Sequence, residues 1–143
     1  MRLLAILLCA ALTGCATVAD DARLGVAADI ASTGAALSAG AVEGNPLWSS
    51  PGGLVINAAA RMALIDYLDT PDREHLLPIA SAVNWGAAGN NIAIALGAST
   101  PLALAAGLAA GYAAHRRAAL SQHLEALCRY VRQVEPNRKC THE

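Results

Sequence analysis

The stretch "STPLALAAGLAAGYAA", residues 99–114, decides how this chain folds. A hydroxyl residue followed by proline is a helix-start signal. The side-chain oxygen accepts an orphan amide, and proline at the first helical position gives up only a donor that would have had no partner. The same pairing stands at Ser50-Pro51, Thr70-Pro71 and Thr100-Pro101. Alternation with a period of two is hardly visible anywhere, so the pattern predicts an all-α chain. Behind the cap, Ala103, Gly107 and Gly111 recur every four residues. That small-xxx-small stripe lets two helices approach to backbone distance.

Outward from this stretch the sequence divides into about four Ala/Gly-rich helices, forming a small bundle. The first covers about residues 21–40 and ends in the turn Glu43-Gly44-Asn45-Pro46. The second covers about 52–68, and a polar link follows at 69–75. The third carries Pro78 in its first turn and continues to about residue 98. The fourth runs from about residue 100 to 133, apolar at first and amphipathic after His115-Arg116-Arg117. Leu76 to Ala98 holds no charged residue over 23 positions, long enough to cross a bilayer. Asn84, Asn90 and Asn91 oppose that reading. Two alternatives stay open: a bundle with at least two helices embedded in a membrane, or the same small-residue seam inside a bundle that crosses none.

At 143 residues the chain is one domain. Hydrophobic residues make up 55% and charged ones 15%, and phenylalanine is absent. A core of alanine and glycine buries little area per side chain, so cohesion must come from close backbone approach. A formal net charge of −1 gives no basic excess for a nucleic-acid partner.

The chain opens with Met1-Arg2 and an uncharged run from Leu3 to Leu12, the length of a secretory signal and too short to span a bilayer. Leu12-Thr13-Gly14-Cys15 then resembles the lipobox of bacterial lipoproteins. The resemblance implies removal of a signal peptide, residues 1–14, and attachment of diacylglycerol to the Cys15 thiol. The remaining chain would be a helical domain over residues 15–135 and a polar tail over 136–143. It would be held on the periplasmic side of the bacterial cell envelope. Ala16, where an aspartate would retain the protein on the inner membrane, favours the outer one. The implied partners are membrane lipid and another envelope protein or a second copy. The covalent lipid on Cys15 stands in place of any cofactor. With Cys9 removed and Cys15 lipidated, Cys128 and Cys140 are left as a candidate disulfide.

The polar residues inside these apolar helices are the candidate site. Asp29 and Thr33, four apart, share a helix face, and Glu43 and Asn45 follow at its end. The pattern of Asp29, Thr33, Glu43, Asn45 and Pro46 resembles the DUF5658-type small bacterial membrane proteins, a family without an assigned activity. Asn84 and Asn91 are seven apart, and Asn57 and Arg61 four apart. The expectation is an internal network in which Arg61 neutralises Asp29 or Glu43 and the asparagines satisfy what remains. Such groups set helix register or mark a pathway for an ion or small solute; the bland alternative places Asp29 and Arg61 on solvent faces.

No nucleophile elbow, zinc-protease motif or phosphate-binding loop occurs, and Cys140 with His142 offers only two metal ligands, so neither catalysis nor a metal centre is expected. In the C-terminal segment, Leu120, Leu124, Leu127 and Val131 recur at helical spacing. Arg116, Arg117, Arg129, Arg132, Arg138 and Lys139 stand against Glu125 and Glu135. This predicts an inward leucine face and a basic outward face, solvated or laid on anionic headgroups. The functional expectation is a lipid-anchored envelope protein with a structural or interaction role. Its rival is a small integral protein passing an ion or solute through the polar interior.

Overall fold

The computed structural model describes residues 17–42 and 50–135. Within them the chain is all-helical: α1 (Val18–Ser38), α2 (Pro51–Leu68), a 3₁₀ turn (Glu74–Leu76), α3 (Leu77–Ala95) and α4 (Thr100–Val134). None of these helices is long and apolar enough to cross a membrane. The expected spanning stretch fails because Asn84, Asn90 and Asn91 dilute α3 with amides.

Each helix end has a local cause. Thr17 caps α1 in a reciprocal box: its hydroxyl accepts the Asp20 amide at 3.1 Å, and the Asp20 carboxylate accepts the Thr17 amide at 3.3 Å. The Thr17 hydroxyl is also the main reason the Asp20 carboxyl is held below its ordinary pKa. Ser50 caps α2, accepting the Gly53 amide at 3.1 Å, with Pro51 in the first turn. Helices α1 and α3 stop in the same way. Gly40 and Gly97 take φ of +91° and +83°. The amides around them, Gly40 to Leu37 and Ala41 to Ala36, then Gly97 to Ile94 and Ala98 to Ala93, close Schellman motifs.

Two of the three hydroxyl–proline pairs do not cap a helix directly, although the polar link over 69–75 and Pro78 in the first turn of α3 are as expected. Thr70-Pro71 opens a turn, not a helix. The Thr70 carbonyl accepts the amides of both Arg73 and Glu74, and a helix begins only at Leu77, with Pro78 in its first turn. The cap of α4 is Ser99, one residue earlier than Thr100, so Thr100 is already helical.

Helices α1 and α3 form the inner pair; α4 packs on α3 and α2 on α1. Close approach at glycine makes the α3–α4 hairpin. A Cβ added to Gly107 would stand 2.8 Å from the Gly86 carbonyl oxygen, and one on Gly111 2.8 Å from that of Ala82. One on Gly89 would stand 2.7 Å from the Ala110 Cβ. The Ala103, Gly107, Gly111 stripe is therefore a seam within the bundle, continued by buried Ala114 and Ala118. The main apolar cluster lies towards the start of α1: Val18, Ala19, Ala22 and Val26 with Ile65, Leu68, Leu77 and Ala118.

Gly107→Val should cost about 1–3 kcal/mol or more by forcing α3 and α4 apart. Gly34→Ala, whose added Cβ meets nothing within 4 Å, should stabilise by about 1 kcal/mol; urea unfolding followed by circular dichroism reads both. Thr17→Ala should cost about 1 kcal/mol at neutral pH. Because the Asp20 carboxyl is depressed in the fold, that contribution is present above the ordinary carboxylate range and fades as pH falls through the depressed value.

Candidate functional site

Asp29 sits on the inward face of α1, where an ionised carboxylate must be paired to offset the loss of its hydration. One oxygen pairs with the guanidinium of Arg61 from α2. The other accepts the side-chain amide of Asn91 from α3 at 2.8 Å, and the same nitrogen donates to the Thr33 hydroxyl oxygen at 2.8 Å. The Asn84 carbonyl oxygen accepts from Arg61 Nε at 3.0 Å and from a terminal guanidinium nitrogen. The amide end of Asn84 donates to the Ala22 carbonyl at 3.2 Å. Three helices thus meet at one carboxylate. The pairing is possible because Asp29 and Thr33 lie one turn apart on α1, and Asn84 and Asn91 two turns apart on α3. The Arg61 and Asp29 side chains are 20% and 9% exposed, so little solvent screens the pair.

A second network lies towards the start of α1. The buried Asp21 carboxylate accepts from the Ser81 hydroxyl and pairs with Arg117 of α4. The Asp21 carbonyl accepts the Trp85 indole N–H at 3.2 Å, and Arg117 lies 5.6 Å from the Trp85 ring centroid. Sequence reasoning did not single out Asp21 or Ser81, and it counted Arg117 as part of an outward basic face. The available signal was the spacing of eight between Asp21 and Asp29, which keeps both on one broad helical stripe.

At the rim, Arg23 joins Asp20, Asp66 and Asp69 at 2.9–3.2 Å, tying α1 to the end of α2. Arg129 meets Glu74 at 2.8 Å, and Gln122 donates to the Glu74 carbonyl at 2.6 Å, bracing α4 on the 3₁₀ turn. Burial raises the Glu125 carboxyl above its ordinary value, with Arg129 opposing.

The expectation for the C-terminal segment holds in part: Leu124 and Val131 are half-buried and Arg116 and Arg132 are exposed. Arg117 and Arg129 pair with Asp21 and Glu74 at the surface, while Leu120 and Leu127 stand more than half exposed. Both leucines lie on the side of α4 turned away from the Gly107, Gly111 and Ala118 face, so no helix covers them. Of the other candidate residues, Cys128 is half-buried on α4. Cys15, Glu43, Asn45, Pro46 and Cys140 lie outside the described residues. Among the described residues no group of three or more His, Cys, Asp or Glu is placed to hold a metal ion.

Chemically, the two networks neutralise themselves. Every buried side-chain nitrogen or oxygen among the described residues has a hydrogen-bond partner. Ser81, which donates to a carboxylate, is fully buried. No protein-family model, curated protein or solved structure matches the chain, so the functional reading rests on its own residues.

Asp29→Asn should lose about 3 kcal/mol or more, because it leaves the Arg61 charge without a counterion. Replacing both partners, Asp29→Leu with Arg61→Met, should cost at least about 1 kcal/mol less than the sum of the single changes. Additive costs in a urea-unfolding cycle would show that the two side chains do not act as a unit.

Proposed function

We propose that this chain is a bacterial cell-envelope lipoprotein, anchored through Cys15, whose helical domain does structural or interaction work at the membrane. The observation that carries the reading is Leu12-Thr13-Gly14-Cys15 at the end of an uncharged run of signal length. Several acyl chains at about 0.8 kcal/mol per buried methylene make such an anchor stable. Ala16 favours the outer membrane, with the domain on the periplasmic side. The candidate Cys128–Cys140 bridge suits that oxidising compartment.

The structural half of the reading is supported by the closed character of the polar interior. Asp29, Arg61, Asn84, Asn91 and Thr33 satisfy one another. Groups arranged in this way fix which helix faces meet and at what register. No catalytic role is assigned to them, since no nucleophile, base and open space converge. The rival reading, passage of an ion or solute through the same groups, makes the opposite demand: Asp29→Asn would keep the fold and lose flux.

The deciding experiment compares wild type with Cys15→Ala in bacterial membranes. Wild type should resist alkaline carbonate extraction, and its mature N-terminus should be Cys15 carrying diacylglycerol and an acyl chain by mass spectrometry. Cys15→Ala should carry no lipid. A wild-type chain that begins at Met1 without lipid overturns the reading.

A further inference from the structure

The outer side of α4 is a feature that the polar networks leave unexplained. Leu102, Tyr112, Leu120, Leu127, Tyr130 and Val134 are spaced so that they fall along one face of the helix. Each of them is between 52% and 68% exposed. The face runs the length of the 35-residue helix, about 52 Å. It is an apolar strip of a kind that isolated surface leucines do not form. The ionisable groups that interrupt it are Arg116 and His123, and no carboxylate lies on it. Glu125 and Glu135 fall on other faces. Arg117 and Arg129 are turned away from it onto Asp21 and Glu74.

We infer that this face of α4 is a lipid-docking surface, lying along a bilayer with its axis in the membrane plane, so that the protein rests on the membrane without crossing it. The charge pattern chooses lipid over a second copy. In a two-fold pairing centred on this helix, Arg116, close to its midpoint, would meet the partner's equivalent arginine and bury two like charges. Against lipid the same side chain extends its charge to anionic headgroups while its stem covers apolar surface. Tyrosines at positions 112 and 130 suit a boundary that is apolar on one side and wet on the other.

The tether excludes an upright orientation. This part rests on the proposed Cys15 anchor. Arg117 pairs with Asp21 in the first turn of α1, so residues 121–134 of α4 project about 20 Å past the first residue of α1. Cys15 is three residues before Val18 and can reach only about 10 Å from it. A bundle standing upright on its anchor would drive the end of α4 through the headgroups. The bundle must therefore tilt so that α4 does not point into the bilayer.

The test uses the full mature chain, purified with its lipid and reconstituted into vesicles of phosphatidylethanolamine and phosphatidylglycerol with brominated acyl chains. Tryptophan is placed on the strip by Tyr112→Trp and Leu127→Trp, and in the exposed link by Asp72→Trp. Fluorescence is read as the increment over the wild-type signal of Trp48 and Trp85. Both strip positions should lose more than half of their added intensity to bromine, and the link position less than a tenth. Arg116→Glu should reduce strip quenching at least threefold. Unquenched strip positions on a chain whose Cys15 lipid is confirmed by mass overturn the docking and leave the anchor standing. Shielded but unquenched tryptophans together with a doubled cross-linked mass overturn it in favour of a second copy. Absence of lipid on Cys15 defeats the anchoring reading separately, since quenching is scored independently of it.

Discussion

Helices faced with alanine and glycine gain little from each side chain they bury, and this constraint governs the molecule. The largest fully buried side chains are only Ile65, Val26 and Ser81. At about 25 cal/mol per Å² of apolar area, such a core cannot hold helices at the separation leucine would set. The helices must come to backbone contact. Gly86 and Gly89 against Gly107 and Gly111 achieve this between α3 and α4, and Gly25 against Asn84 and Trp85 does so between α1 and α3. Dispersion across a close seam replaces some of what side-chain bulk does not supply.

A seam of small residues is also poorly specific, because one methyl is much like the next and a helix can slide by a turn at little cost. The buried polar groups remove that freedom. Asp29 needs Arg61 from α2 and Asn91 from α3, and Asp21 needs Ser81 from α3 and Arg117 from α4. A one-turn slip would strand charges in a low-dielectric interior, which costs far more than displaced methyl contacts. Glycine contact sets the distance between helices, and paired charges set the register.

The same division of labour shapes the surface. All charged residues of the described chain except Asp29 and Arg61 lie towards the end of the bundle where α1 begins, or on the part of α4 that runs past it. Many of these cations are used in bridges to the bundle, so the outer side of the long helix is left apolar. Its exposed leucines and tyrosines follow from geometry: α4 outlasts α3, which covers only one of its sides.

The sequence by itself determined the helical class, the four helices and the small-residue seam, because caps, glycine stops and the absence of alternation are local signals. It also singled out Asp29, Thr33, Arg61, Asn84 and Asn91, since polar side chains at turn spacing inside apolar helices must find partners. Only the tertiary structure decided which partners they take. It joined Asp21 to Ser81 across 60 residues, and brought Arg117 and Arg129 of the C-terminal helix onto acidic partners of other elements. The physical reason is that a helical period shows which residues share a face but not what that face meets. Arg117 turns onto α1 because Asp21 lies there, 96 residues earlier in the chain, and no window of local sequence contains both.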